Sequence, residues 1–82
     1  MPERGTAMKD KYYPVYVKIG LNILHYRKEQ GITQEQLAEM AGYSRQQVQR
    51  VETANSTPSL AILLDISKAL NVPLEKLLEI RD

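Results

Sequence analysis

No cysteine occurs anywhere in the chain of 82 residues, which excludes a disulfide framework, a thiol nucleophile and a cysteine-based zinc site. No apolar run approaches the roughly 18 residues that a membrane span requires. The start, Met1 to Lys11, is polar and lacks the apolar stretch of a signal peptide. These absences suit a reducing, cytoplasmic setting with no membrane contact. Catalytic equipment is missing as well: no Ser–His–Asp or Cys–His set, no glycine-rich phosphate loop and no paired carboxylates stand out. The single histidine, His25, falls on the polar side of its helix without Cys or carboxylate partners and reads as a surface residue. No catalytic residue, metal ligand, cofactor or small-molecule ligand is therefore expected.

What is present is enough for one domain with a modest core. Net charge is only +1, but it is unevenly spread. Residues 1–50 carry eight Lys/Arg against five Asp/Glu, and residues 51–82 carry three against five. One end is thus suited to face phosphate while the other stays clear of it.

Residues 1–12 read as a flexible N-terminal tail and 13–82 as the domain, with an aromatic lead-in of Tyr12, Tyr13 and Tyr16 that suits packing of the chain start onto the rest. Beyond the tail the pattern is helical throughout, with no strand alternation, and punctuated by cap signals. Helix 1 is predicted to start near Pro14 and stop at Gly31. Val15, Ile19, Ile23 and Tyr26 form its main apolar face, and a narrower stripe of Val17, Leu21 and Leu24 lies about 150° away. Helix 2 opens with a capping box, Thr33 to Gln36, and buries Leu37, Ala38 and Ala41. Helix 3 opens with a second box, Ser44 to Gln47, and turns Val48 and Val51 inward. Ser59 caps a strongly apolar helix 4 (Leu60, Leu63, Leu64, Ile66, Leu70), predicted to be the most buried, and Asn71 ends it in the left-handed region. Pro73 starts a short helix 5 carrying Leu74, Leu77, Leu78 and Ile80.

The informative stretch is 34–53, QEQLAEMAGYSRQQVQRVET. Two short helices meet at Gly42-Tyr43. Ala38 lets them approach closely, and Gly42 can take the positive φ of a tight turn. That is a helix-turn-helix, whose second helix lies in the major groove. Arg45, Gln46, Gln49 and Arg50 project from the outer face of helix 3 (44–53). Arg can bond O6 and N7 of guanine together, and Gln can pair with N6 and N7 of adenine. Five of the six residues Arg45 to Arg50 are Arg or Gln, whereas a merely solvated helix face favours Glu and Lys.

The chain resembles the Cro/lambda-repressor-like helix-turn-helix family, also called the xenobiotic-response-element family, from about Ile19 to Leu78. The likeness runs through IGLNILHYRKEQGITQEQLA, YSRQQVQRVE and TPSLAILLDISKALNVPLEKLL. It implies an all-α, compact five-helix lambda-repressor-like DNA-binding domain. It also implies roles. Gln34 matches a residue that contacts a DNA phosphate and braces the first residues of helix 3. Arg45 and Gln46 match the first base-reading pair, Gln49 and Arg50 the positions one turn on, and Ser44, the cap of helix 3, is counted with the DNA-binding residues. Arg27 and Glu52 match a structural ion pair, and Thr53 and Asn55 match backbone-contacting loop positions. The chain departs from the pattern where Ala54 replaces the usual Gly, and where Asn55 and Ser56 replace a Lys or Arg. A differently shaped turn and weaker phosphate binding are expected there, since Ala disfavours left-handed geometry.

The resulting expectation is a transcriptional regulator that binds double-stranded DNA, probing a near-palindromic operator as a homodimer. Helix 5 is the favoured dimer surface, the extra stripe of helix 1 the second candidate. Two other readings compete. One is an antitoxin whose main task is to bind a partner toxin, using Met1 to Tyr13. The other is a bundle that binds only protein, against which the forked donors Arg45 and Arg50 weigh.

Overall fold

The computed structural model describes residues 10–80. They form five helices and, among themselves, no strand: α1 (Tyr13–Glu29), α2 (Gln34–Ala41), α3 (Arg45–Glu52), α4 (Leu60–Leu70) and α5 (Leu74–Leu77). The helix boundaries are drawn by local chemistry. Thr33 and Ser44 each accept a hydrogen bond from the backbone N–H three residues on, and Gln36 and Gln47 reach back to the N-cap N–H, so both predicted capping boxes are formed. Ser59 accepts from Ile62 N–H at the start of α4. Asn71 ends α4 at φ 57°.

The chain start is organised by a residue not singled out in the sequence. Asp10 accepts from the Tyr12 N–H at 2.8 Å through Oδ1 and from the Tyr16 hydroxyl at 3.0 Å through Oδ2. Its carbonyl accepts from the Tyr13 N–H. The lead-in therefore begins at Asp10, inside the segment read as a tail; residues 1–9 lie outside the described residues.

Ile19, Ile23, Leu37, Ala38, Val48, Val51, Ile62, Leu63, Ile66, Leu70 and Leu77 make one core. Each large aliphatic side chain buried there contributes about 1.5–3 kcal/mol. Two expectations are corrected. Val15 is exposed rather than inward, because the first turn of α1, with exposed Tyr12 and Pro14, overhangs the bundle. α4 is not buried all round: Ile62, Leu63, Ile66 and Leu70 face the core, while Leu60 and Leu64 are 62% and 43% exposed. Its neighbours α1, α2 and α5 cover one side and leave the other open. α5 is a single turn, so only Leu77 is fully buried while Leu78 and Ile80 stand in solvent. α5 packs on both α4 and α1. The Asn22 amide fastens its end by donating to the carbonyls of Leu77 (2.9 Å) and Glu79 (2.8 Å).

Candidate nucleic-acid interface

The turn between α2 and α3 is set by Gly42 at φ 85°, with the N–H groups of Gly42 and Tyr43 both donating to the Ala38 carbonyl. This left-handed ending frees α3 to run off at an angle, and a side chain at 42 would be strained although space is available. Val48 and Val51 anchor the inner face of α3, leaving Arg45, Gln46, Gln49 and Arg50 exposed on the other. Gln47 belongs to the cap: its Oε1 accepts from the Ser44 N–H at 2.9 Å. Four of the five planar heads between 45 and 50 are thus unspent in the described contacts of α3, and all four belong to the predicted reading set. Ser44 Oγ accepts from Gln47 N–H at 3.1 Å, which still leaves its hydroxyl proton to donate.

The Arg27–Glu52 pair is formed. Arg27 Nε donates to Glu52 Oε2 at 2.7 Å and Nη2 donates to Oε1 at 3.1 Å, with both residues buried. The remaining Nη1 donates to the Ile32 carbonyl at 2.9 Å. This bidentate pair ties the last turn of α1 to the end of α3. Gln34 joins it: its Nε2 donates to Glu52 Oε1 at 2.9 Å. The bond from Gln34 thus reaches the last residue of α3, while Gln34 also borders an open concavity together with Arg45, the first residue of that helix.

The two loop positions behave differently from one another. Thr53 Oγ1 donates to the Gln49 carbonyl at 2.8 Å, so its hydroxyl proton is occupied within the helix end. Asn55 is exposed; its N–H donates to the Arg50 carbonyl and leaves the side-chain amide outward. Ala54, expected to force a differently shaped turn, instead adopts the left-handed geometry at φ 59° and donates to the Val51 carbonyl. Its methyl is only 2% exposed, so burial offsets the strain.

Three features escaped the sequence reading. Lys28 borders, with Thr33, Gln34 and Arg45, an open concavity of about 600 Å³ between the ends of α1, α2 and α3. Its position next to Arg27 in the last turn of α1 was the available signal. The Tyr43 hydroxyl donates to Asp65 Oδ2 on α4 at 2.6 Å. That hydrogen bond, followed by burial, raises the Tyr43 pKa above the usual phenol value. Gly20 packs directly on the backbone at the end of α3. No metal-binding cluster of His, Cys, Asp or Glu occurs among the described residues, and none of their helices is long and apolar enough to cross a membrane.

Known proteins share this arrangement. The controller protein C.AhdI of a restriction-modification system, from Aeromonas hydrophila, superposes with a TM-score of 0.79 at 31% identity over 83% of this chain and 99% of its own. The N-terminal DNA binding domain of SinR from Bacillus subtilis gives a TM-score of 0.72 at 34% identity, over 77% and 93% of the two chains. Control protein C.SmaI of Serratia marcescens is 39% identical over 57 residues, 70% of this chain and 68% of its own. Across curated relatives the chain spans from 20% to 70% of their length. The family so indicated is one of DNA-binding regulators rather than enzymes. With the helix-turn-helix family model matching residues 23–77, the chain belongs to the helix-turn-helix family, as a Cro/lambda-repressor-like domain for DNA-binding transcriptional regulation.

Proposed function

We propose that this chain is a cytoplasmic, non-catalytic regulator that binds a near-palindromic operator as a homodimer, in the manner of a restriction-modification controller. The observation that carries this reading is the exposed set Arg45, Gln46, Gln49 and Arg50 on a helix whose inner face is buried and whose remaining glutamine is spent on its own cap. Arg45 and Arg50 supply bidentate contacts to guanine and Gln46 and Gln49 refine the choice. Gln34, Ser44, Thr53 and Asn55 hold the backbone, Thr53 only by releasing its bond to Gln49. Two likenesses to controller proteins, one covering 99% of its own chain, support the controller role.

A single reader helix spans too few base pairs to select one site in a genome, whereas two across one helical turn, about 34 Å, read a near-palindrome. Exposed Leu78 and Ile80 beyond α5 offer the apolar surface for pairing, with Leu60 and Leu64 on α4 as further exposed leucines. On α1 the competing stripe is reduced to Leu21, since Val17 and Leu24 are half-buried. The competing antitoxin reading rests on residues 1–13, of which 1–9 lie outside the described residues.

Selection of bound sites from random duplex DNA tests the proposal. A near-palindromic consensus is expected, with Arg45→Ala or Arg50→Ala costing about 1–3 kcal/mol on that site and relaxing preference at particular base pairs. Failure to enrich any sequence, or equal weakening on selected and random DNA, overturns it. Light scattering with and without the selected site reads the dimer; a chain that stays monomeric and binds a half-site as tightly as the palindrome removes that part.

A further inference from the structure

α3 is an eight-residue rod about 12 Å long, and its two ends are held by groups that take no part in the reading face. Before its N-cap, Tyr43 donates its hydroxyl proton to Asp65 of α4 at 2.6 Å. At its other end the carbonyl oxygens of Val51 and Glu52 press against Gly20 of α1. A Cβ built on Gly20 would stand 2.5 Å from the Glu52 oxygen and 2.7 Å from the Val51 oxygen. Both obstacles are backbone atoms, so they can yield only if the last turn of α3 moves away from α1.

We propose that Gly20 and Tyr43 are positioning residues for base selectivity: Gly20 sets how closely the end of α3 lies on α1, and the Tyr43–Asp65 hydrogen bond fixes its start against α4. This rests on the reading of α3 as the base-contacting helix. A rod held at one end pivots about that point, and a displacement of about 1 Å takes a bidentate hydrogen bond beyond its working range. Attraction to phosphate falls off far more slowly with distance. Loosening either end therefore reduces affinity for the selected site while affinity for random duplex stays the same. The start of α3 carries Arg45 and Gln46, so loss of the Tyr43 bond relaxes the base pairs they read, whereas a side chain at 20 acts from the Arg50 end.

The experiment uses the full chain and compares its affinity for the selected operator and for a random duplex, at one salt concentration, with Tm measured alongside. The variants are Tyr43→Phe, Gly20→Ala, Arg45→Ala and Leu70→Val, the last a core substitution at the end of α4 that lowers stability without touching either end support. Tyr43→Phe and Gly20→Ala are each expected to lower the operator-to-random affinity ratio by about tenfold, and Leu70→Val to leave the ratio unchanged at temperatures where it is folded. Unchanged ratios in Tyr43→Phe and Gly20→Ala, beside a lowered ratio in Arg45→Ala, overturn the positioning role alone. An unchanged ratio in Arg45→Ala overturns the base-reading assignment and the inference with it. A fall of the ratio in Leu70→Val matching the other two overturns the proposal in favour of general loosening. If Gly20→Ala does not fold, Tyr43→Phe decides the claim.

Discussion

Replacing Glu52 by Ala strands a buried charge in the interior of this domain. Arg27 is 8% exposed and its guanidinium makes three hydrogen bonds, two of them to the Glu52 carboxylate at 2.7 and 3.1 Å. With Glu52 gone, Arg27 keeps only the Ile32 carbonyl, and Gln34 loses its acceptor. Stranding a buried charge in this way costs about 3–5 kcal/mol. Total stability for a chain of this length is on the order of 4–12 kcal/mol, so a quarter or more of it is at stake. The penalty is mostly that of an unpaired charge, so the double variant Arg27→Met/Glu52→Leu is expected to recover much of it. Urea unfolding followed by circular dichroism, on the wild type, Arg27→Met, Glu52→Leu and the double, gives the coupling energy. A value of about 1–3 kcal/mol is expected. A coupling below about 0.5 kcal/mol would show that the pair behaves as an exposed one, and would refute the reasoning from burial.

Three further outcomes follow from local geometry. Ala54→Gly relieves a left-handed alanine, a gain of about 1 kcal/mol, but deletes a buried methyl worth about 0.8 kcal/mol, so the urea midpoint should barely move; a large shift either way sinks this balance. Removing residues 1–9 should leave Tm within a few degrees, whereas a cut after Asp10, or Asp10→Ala, should cost about 1 kcal/mol through the lost bonds to Tyr12 and Tyr16; equal effects of the two cuts would deny Asp10 its role. The folded chain holds the phenol protons of Tyr43 and Tyr16 more tightly than the unfolded chain, mainly through the Asp65 hydrogen bond in the first and burial in the second. Their contribution is therefore full below the ordinary phenol pKa of 10.0 and is lost as pH rises through the higher folded values. Unfolding midpoints measured from pH 8 upward should fall less steeply in Tyr43→Phe than in the wild type, and an identical slope would contradict the assignment.

The sequence by itself determined most features that are decided within a turn or two of the chain, the Asp10 bonds to Tyr12 and Tyr16 and the Ala54 turn excepted. The capping boxes at Thr33 and Ser44, the caps at Ser59 and Asn71 and the turn at Gly42 join residues three to five positions apart, so the residue types suffice to place them. The reading face was legible for the same reason: a short helix with two inward valines must expose its remaining side chains. The Arg27–Glu52 pair spans 25 positions and was reached only through family resemblance. Tertiary structure alone decided the rest. Gln34 meets Glu52 across 18 positions, and Tyr43 finds Asp65 across 22. Leu60 and Leu64 face solvent because neighbouring helices cover only one side of α4. Gly20 shows the division most clearly. In sequence it is a weak residue in the middle of a helix; in the folded chain its missing side chain is the space into which the end of α3 packs. No local preference encodes that approach, since it exists only once two helices distant in the chain have docked.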